Sequence, residues 1–286
     1  MYTVPLFSEF GGEGFFGKMD GDMSDITPLL ETARGVAFEA GALLREKYHR
    51  LTEVRYKGQI NLVTEADTAV QALVFDRLAK AFPGHDFIAE EGLKSLSGSE
   101  FRWLIDPLDG TTNFAHKVPV FCVSIGLERA GRLAAGVVHN PMTGDTFWAE
   151  TGGGAFHDGR PIRVSATADL GRALLATGFA YDVWTTRCNI DEHERMVMRC
   201  QGIRRCGSAA LDLCFTACGR FDGFWELKLS PWDTAAGAVI VREAGGLGTD
   251  FDGRPVDVYR PEVCASNGLI HEAMLAVLKP SGGGRP

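Results

Sequence analysis

Trp103-Leu104-Ile105-Asp106-Pro107-Leu108-Asp109-Gly110-Thr111-Thr112-Asn113 reads as a short apolar strand running straight into a polar turn. Charged residues placed at the end of such a strand face a cleft. Two Asp three apart across a Pro turn can converge on a hard cation, and the Leu108 carbonyl between them offers a further oxygen ligand of the kind Mg²⁺ prefers. Gly110 lets backbone N–H groups approach an anion, and Thr111 and Thr112 bring hydroxyls to the start of the next helix. The same letters also serve as an Asx turn followed by a helix cap, so the choice falls to acids elsewhere in the chain.

Upstream, Glu90-Glu91 ends the β-rich run Phe87-Ile88-Ala89, and adjacent acids there repel each other unless a cation is present. Downstream, Asp233 follows Trp232 at the start of Thr234-Ala235-Ala236-Gly237-Ala238-Val239. That position equally suits a helix N-cap. Taken together, Glu90, Asp106, Asp109 and Asp233 suggest a site for two or more Mg²⁺ ions.

The rest of the chain supplies the frame. A helix follows a cap at Ser24 or Asp25, with Leu29, Ala33, Val36, Ala40, Leu43 and Leu44 at 3–4 spacing. A second runs from about Ala66 to Phe82 and stops before Pro83-Gly84. Short β-rich runs at 103–105, 118–127, 133–138 and 146–149 then imply a largely antiparallel sheet. His157-Asp158-Gly159-Arg160 reads as a hairpin turn closing that half. Strands expected over 174–179, 222–226 and 263–266 alternate with helices over 191–200, 209–218, 234–244 and 271–278, an α/β pattern. Two lobes sharing one site are therefore expected, over 26–168 and 169–279, with a flexible extension over 1–25 and a flexible tail over 280–286.

Composition narrows the function. The 286 residues carry 29 Lys+Arg against 37 Asp+Glu, a net charge of −8, and no block of cations that would clamp a nucleic-acid backbone. No apolar run approaches the roughly 18–20 residues of a membrane span. Seven cysteines without a CxxC pair read as reduced thiols of a cytoplasmic protein, and Cys214 and Cys218 lack the further ligands a zinc site needs.

With Glu90-Glu91, the stretch 103–113 and Pro231-Trp232-Asp233-Thr234-Ala235-Ala236-Gly237 in one chain, the sequence closely resembles the inositol monophosphatase family over roughly residues 26–279. The resemblance implies an α/β fold of alternating αβαβα layers, like that of the fructose-1,6-bisphosphatases. It implies Mg²⁺-dependent, Li⁺-inhibited hydrolysis of phosphomonoesters, usually by a homodimer. Carried onto this chain, Glu90, Asp106 and the Leu108 carbonyl take one ion, and Asp106, Asp109 and Asp233 a second. A third, looser ion sits beside Glu90, in a region that Lys57 can approach. Asp67 pairs with Thr111, and with Glu90 these two serve catalysis, while Gly110, Thr111 and Thr112 hold phosphate. Gly207-Ser208-Ala209 and Glu226, with Asp109 and Asp233, read a small phosphorylated polyol or sugar.

Water attacks directly in this scheme, without a phosphoenzyme. The DxxD spacing is one residue longer than the DxDx[TV] of haloacid-dehalogenase phosphatases, and no GxxxxGK[ST] loop is present. Myo-inositol 1-phosphate is the expected substrate. Fructose 1,6-bisphosphate, histidinol phosphate and an adenosine bisphosphate remain alternatives within the family, and some bacterial members imply a binding role toward transcription machinery or RNA. Arg204 and Arg205 are expected to meet solvent or a dimer partner rather than a second phosphate, and Trp103 and Trp232 to pack behind the metal ligands.

Overall fold

A 25-residue helix, α1 (Ile26–Arg50), opens the described chain and buries Leu30, Ala33, Val36, Ala40 and Leu44 along one face. The computed structural model describes residues 26–50, 55–56, 62–63 and 65–279. The expected terminal extension and tail, the Ser24 or Asp25 cap and Lys57 lie outside those residues. A two-stranded ribbon, β1 (Arg55–Tyr56) and β2 (Leu62–Val63), leads into α2 (Glu65–Ala81).

The first sheet collects β3 (Asp86–Ala89), β4 (Lys94–Ser95), β5 (Phe101–Asp109), β6 (Cys122–Arg129), β7 (Arg132–His139), β8 (Thr146–Glu150), β9 (Gly154–His157) and β10 (Arg160–Pro161), with short helix α3 (Thr111–Ala115) between β5 and β6. Its order is β10-β9-β8-β7-β6-β5-β3-β4. Every pairing is antiparallel except β3 with β5. The β9–β10 hairpin turns on Asp158 and Gly159, both at positive φ, 49° and 78°, as a two-residue primed turn requires.

The second sheet contains β11 (Leu174–Thr177), β12 (Gly202–Arg204), β13 (Gly223–Leu227), β14 (Leu247–Thr249) and β15 (Glu262–Ser266), ordered β12-β11-β13-β15-β14. Helices α4 (Val183–Thr186), α5 (Ile190–Val197), α6 (Ala209–Ala217), α7 (Pro231–Glu243) and α8 (His271–Leu278) connect or follow these strands. The short strands β4, β12 and β14 carry too little apolar alternation to be legible in the sequence. The strand expected from residue 118 begins only at Cys122, because the chain between is a loop: Val118 N bonds Asn113 O, and Asn113 Nδ2 donates to Val120 O.

Burial sorts these elements into five layers. Helices α1 and α2 share a core with Trp103, Ile105, Val123, Ile125 and Leu127 on one face of the first sheet. Between the sheets, Leu211, Leu213, Val239 and Ile240 of α6 and α7 meet Val138 and Phe147 on one side and Phe224 and Val263 on the other. The outer face of the second sheet is closed by Met196 of α5 and Met274 and Leu275 of α8, against Leu175, Trp225 and Cys264. The order of layers is αβαβα.

The small residues after Asp233 have a tertiary reason. Helix α7 lies so close to the first sheet that a Cβ on Gly126 would stand 2.6 Å from Ala235 Cβ, and one on Gly136 would stand 2.6 Å from Ala236 Cα. Gly136→Ala therefore forces the helix backbone outward. The expected cost is about 1–3 kcal/mol, read as a lower urea midpoint with an unchanged slope; an unshifted midpoint would mean the helix yields freely.

Candidate active site

Asp106 and Asp109 lie on one strand, β5, and in an unbroken strand residues three apart point to opposite faces. Here the register slips: Asp106 pairs with Ser124 and Asp109 with Cys122, so β5 holds one residue more than β6 in that interval. Pro107, which has no N–H to give to a ladder, sits inside this bulge. Ile105 and Leu108 accordingly both join the α1/α2 core, and Leu104 joins Ala235 of α7 on the other face. Both acids are left on the inter-sheet side. The expected Pro turn is thus a bulged strand, and the bulge is what lets the two carboxylates converge.

Each acid is held by a different element. Asp106 is buried and its Oδ1 accepts from Leu108 N at 2.9 Å. Asp109 Oδ2 accepts from Ser208 Oγ at 2.6 Å and Ala210 N at 2.8 Å, which ties β5 to the first turn of α6. Glu90 leaves β3 with its N–H on Ile105 O at 3.3 Å, while the Glu91 N–H turns to Gln71 Oε1 on α2. Glu90 lines the cavity and Glu91 does not. Asp233 is the third residue of α7, after Pro231 at the first position, and its Oδ2 accepts from Ser230 N at 2.7 Å. The helix thus starts three residues earlier than expected, with Ser230 as its N-cap and Asp233 reaching back to it from the third position, and Asp233 also lines the cavity.

Beside them stands the Thr111 hydroxyl, 3.0 Å from both Asp67 Oδ1 and Leu108 O. It has one proton for two acceptors. Gly110 adopts φ +101°, and a Cβ there would meet Val120 O at 2.9 Å, so both conformation and space require glycine. Asn113 Nδ2 also donates to Cys206 O at 2.8 Å, lashing this turn to Gly207-Ser208.

Of these residues, Glu90, Asp106, Asp109, Gly110, Thr111, Asn113 and Asp233 line a cavity of about 750 Å³, and Asp67 reaches it through Thr111. Gly207, Ser208, Ala209 and Glu226 line it as well, although Ser208 is buried and its hydroxyl is committed to Asp109. Tyr181 and Asp212, for which the sequence suggests no role, line it too, and so does Arg205, against the expectation of solvent or dimer contacts. An acid inside the otherwise apolar run Ala209–Cys214 is a signal that could have found Asp212. Trp232 lines the cavity, whereas Trp103 stacks with Phe82 and donates to His85 Nδ1. Trp103 does not pack behind the acids, because alternation along β5 turns it to the α1/α2 face.

Charge decides what the site can hold. Burial, and then the charges of Glu90, Asp109 and Asp233, push Asp106 well above the usual carboxylate range. Asp233 is raised by burial and by Asp109. Asp109 is raised by burial, opposed by its bonds from Ser208 and Ala210. Acids gathered this way ionise together only with a cation among them, and a donor set made only of oxygen suits a hard divalent ion. The residues present therefore fit Mg²⁺.

A separate group, Asp145, His157 and Asp158, has its ligand atoms within 4.8 Å of one another. None of the three lines the cavity, and Asp145 already meets His157 Nε2 at 2.6 Å and Arg220 at 3.6 Å.

Glu226 is pushed up to about 8 from an ordinary 4.5, first by burial, with Asp212 and Asp109 adding and Arg205 opposing. A carboxyl raised on folding weakens the folded state as pH climbs from the unfolded toward the folded value, and the penalty is complete above about 8. In metal-free protein Glu226→Gln is expected to melt higher than the parent by an amount that vanishes near pH 4.5. That lead grows to on the order of a few kcal/mol above pH 8. Parallel melting curves across that range would sink this account.

The comparisons with known proteins agree with the layers. The model of the inositol monophosphatase family matches residues 25–282. An inositol-1-monophosphatase of Synechocystis sp. is 45% identical over 258 residues, covering 89% of this chain and 90% of its own length. A protein of Pseudomonas aeruginosa named Nus factor SuhB is 42% identical over 262 residues, covering 88% and 96%. The solved inositol monophosphatase of Anabaena (Nostoc) sp. superposes with a TM-score of 0.82 at 41% identity, covering 89% and 96%. Alternating αβαβα layers with oxygen-only acids around one cavity define the class as a metal-dependent phosphatase. The chain belongs to the inositol monophosphatase family.

Proposed function

We propose that this chain is a Mg²⁺-dependent phosphomonoesterase that hydrolyses myo-inositol 1-phosphate and related polyol and sugar phosphates to alcohol and phosphate. The observation that carries the reading is the bulge in β5, which sets Asp106 and Asp109 on the same side, at the cavity that Glu90 and Asp233 also line. Glu90, Asp106 and the Leu108 carbonyl would hold one ion, and Asp106, Asp109 and Asp233 a second, with a looser third beside Glu90. Bound there, Mg²⁺ would neutralise the phosphoryl oxygens, lower the pKa of water and stabilise the leaving alkoxide.

The protein groups do the rest. With its proton given to Asp67 Oδ1, Thr111 Oγ1 turns a lone pair toward the attacking water and orients it, and Glu90 accepts from the same water. The N–H groups of Gly110, Thr111 and Thr112 face the phosphoryl oxygens; those at the start of α3 have no partner within the helix. Ser208 and the Ala210 N–H keep Asp109 in place, and Glu226 takes hydroxyls of the alcohol half.

The test is phosphate release from myo-inositol 1-phosphate, fructose 1,6-bisphosphate, histidinol phosphate and adenosine 3′,5′-bisphosphate, with Mg²⁺, without it, and with added Li⁺. Preferential Mg²⁺-dependent, Li⁺-inhibited release from the inositol ester is expected. Another preferred ester would replace the substrate and keep the mechanism, and no release from any would end the phosphatase reading. The same reading carries a cytoplasmic homodimer, as the family resemblance implies; among the described residues no helix is long and apolar enough to cross a membrane. A transcription-associated role draws support from the name of the Pseudomonas relative, and the presence of every acid in this cavity favours catalysis.

A further inference from the structure

A strap leaves the end of β11 and passes along the cavity, and residues outside the acid cluster set its course. It begins at Gly178, which passes directly over the Glu226 carboxylate: a Cβ there would stand 2.2 Å from Glu226 Oε1. Asn189 Nδ2 donates to Gly178 O at 2.6 Å and Thr177 Oγ1 at 2.8 Å, and Trp225 Nε1 fixes Asn189 by donating to its Oδ1 at 2.7 Å. Further along, Trp184 Nε1 donates to the Tyr181 carbonyl at 2.7 Å, and Lys228 pairs with Asp182 at 2.6 Å. The strap is tied on both sides of Tyr181.

Tyr181 is 44% exposed yet lines the cavity. One part of its ring meets solvent and the other faces inward. The phenol hydroxyl is turned toward the Thr112 side chain, and burial raises its pKa, so at neutral pH it keeps its proton. An occupant whose phosphate lies at the Thr112 turn therefore meets, beside the ester, a flat apolar surface with a hydroxyl at its edge. Elsewhere on the lining it meets the buried carboxyls of Glu226 and Asp212 and the guanidinium of Arg205. An aromatic face packs on the C–H face of a saturated ring, and the polar groups take its hydroxyls. An open-chain alcohol presents no such face.

We propose that Tyr181 is a specificity-determining residue that favours cyclic over open-chain polyol phosphates, its ring packing on the C–H face of the alcohol half and its hydroxyl bonding a ring hydroxyl next to the ester. The proposal rests on the phosphatase reading of the same cavity. It concerns Tyr181 on the strap, outside the residues given metal or phosphate roles.

The experiment compares kcat and KM for myo-inositol 1-phosphate and glycerol 1-phosphate, with Mg²⁺, in the parent, Tyr181→Phe and Tyr181→Ala. Losing one neutral hydrogen bond lowers the cyclic-to-open-chain ratio of kcat/KM by about 3- to 10-fold in Tyr181→Phe. Losing the ring as well lowers it further in Tyr181→Ala, with the change carried by KM for the cyclic ester. A ratio within about twofold of the parent in both variants overturns the proposal, as does an equal fall in kcat for both esters, which marks a strap that only holds the site's shape. A parent that hydrolyses neither ester overturns the phosphatase reading and this proposal with it, whereas an active parent with an unmoved ratio overturns the role of Tyr181 alone.

Discussion

Asp106→Asn is expected to abolish phosphate release, by on the order of 10³-fold or more, while making the metal-free protein more stable. The loss follows from position: Asp106 is the one carboxylate that would serve both ions, and it is buried where no other acid can replace it. The gain in stability follows from the same burial. With no cation among them, Glu90, Asp109 and Asp233 repel a charge at Asp106 that burial already penalises. Asparagine keeps the shape and can still accept from Leu108 N, as Asp106 Oδ1 does at 2.9 Å, but carries no charge to repel. In chelator at pH 8 the variant therefore melts above the parent, and the difference closes as pH falls, because the raised Asp106 of the parent takes up its proton. Undiminished turnover would refute the metal role, and a lower metal-free melting point would refute the electrostatic account.

Removing divalent ions from the parent is expected to have the second largest effect. Chelation should stop turnover and lower the melting temperature at pH 8 by about 5–10 °C, the shift expected when an ion near a hundred times its dissociation constant is withdrawn. The pH dependence has a definite sign. Asp106, Asp109 and Asp233 are all raised on folding, so without a cation the folded state loses stability as pH rises above the ordinary carboxylate value near 3.8 toward their folded values. With the ion bound that loss is offset. The gap between Mg²⁺-loaded and chelated melting points should thus be wide at pH 8 and narrow toward pH 5. A constant gap would place the ion away from these acids, and no gap at any pH would remove it.

Much of the frame was legible because its signals are local. Helix α1 announces itself in apolar residues at 3–4 spacing, and β13 and β15 in short β-rich runs whose alternate residues divide between two cores. The hairpin at Asp158-Gly159 needs only its own two residues. The acids at 90, 106, 109 and 233 were legible as a set because each follows a short apolar run or opens a helix. Their convergence was not legible, since it depends on a one-residue slip between β5 and β6 that belongs to the pairing of two strands.

Periodic elements, the layered α and β class and the choice of acids are thus written in spacings of a few residues. It took the folded chain to set which way those acids point, to commit Ser208 to Asp109 from 99 residues away, to bring α7 close through glycines in two strands of the first sheet and so place Asp233, and to gather Tyr181, Arg205 and Asp212 into the same cavity. The physical reason is common to these cases. Burial, repulsion between charges and close approach of backbones act between segments that the fold brings together, and no periodicity within a segment records its partner.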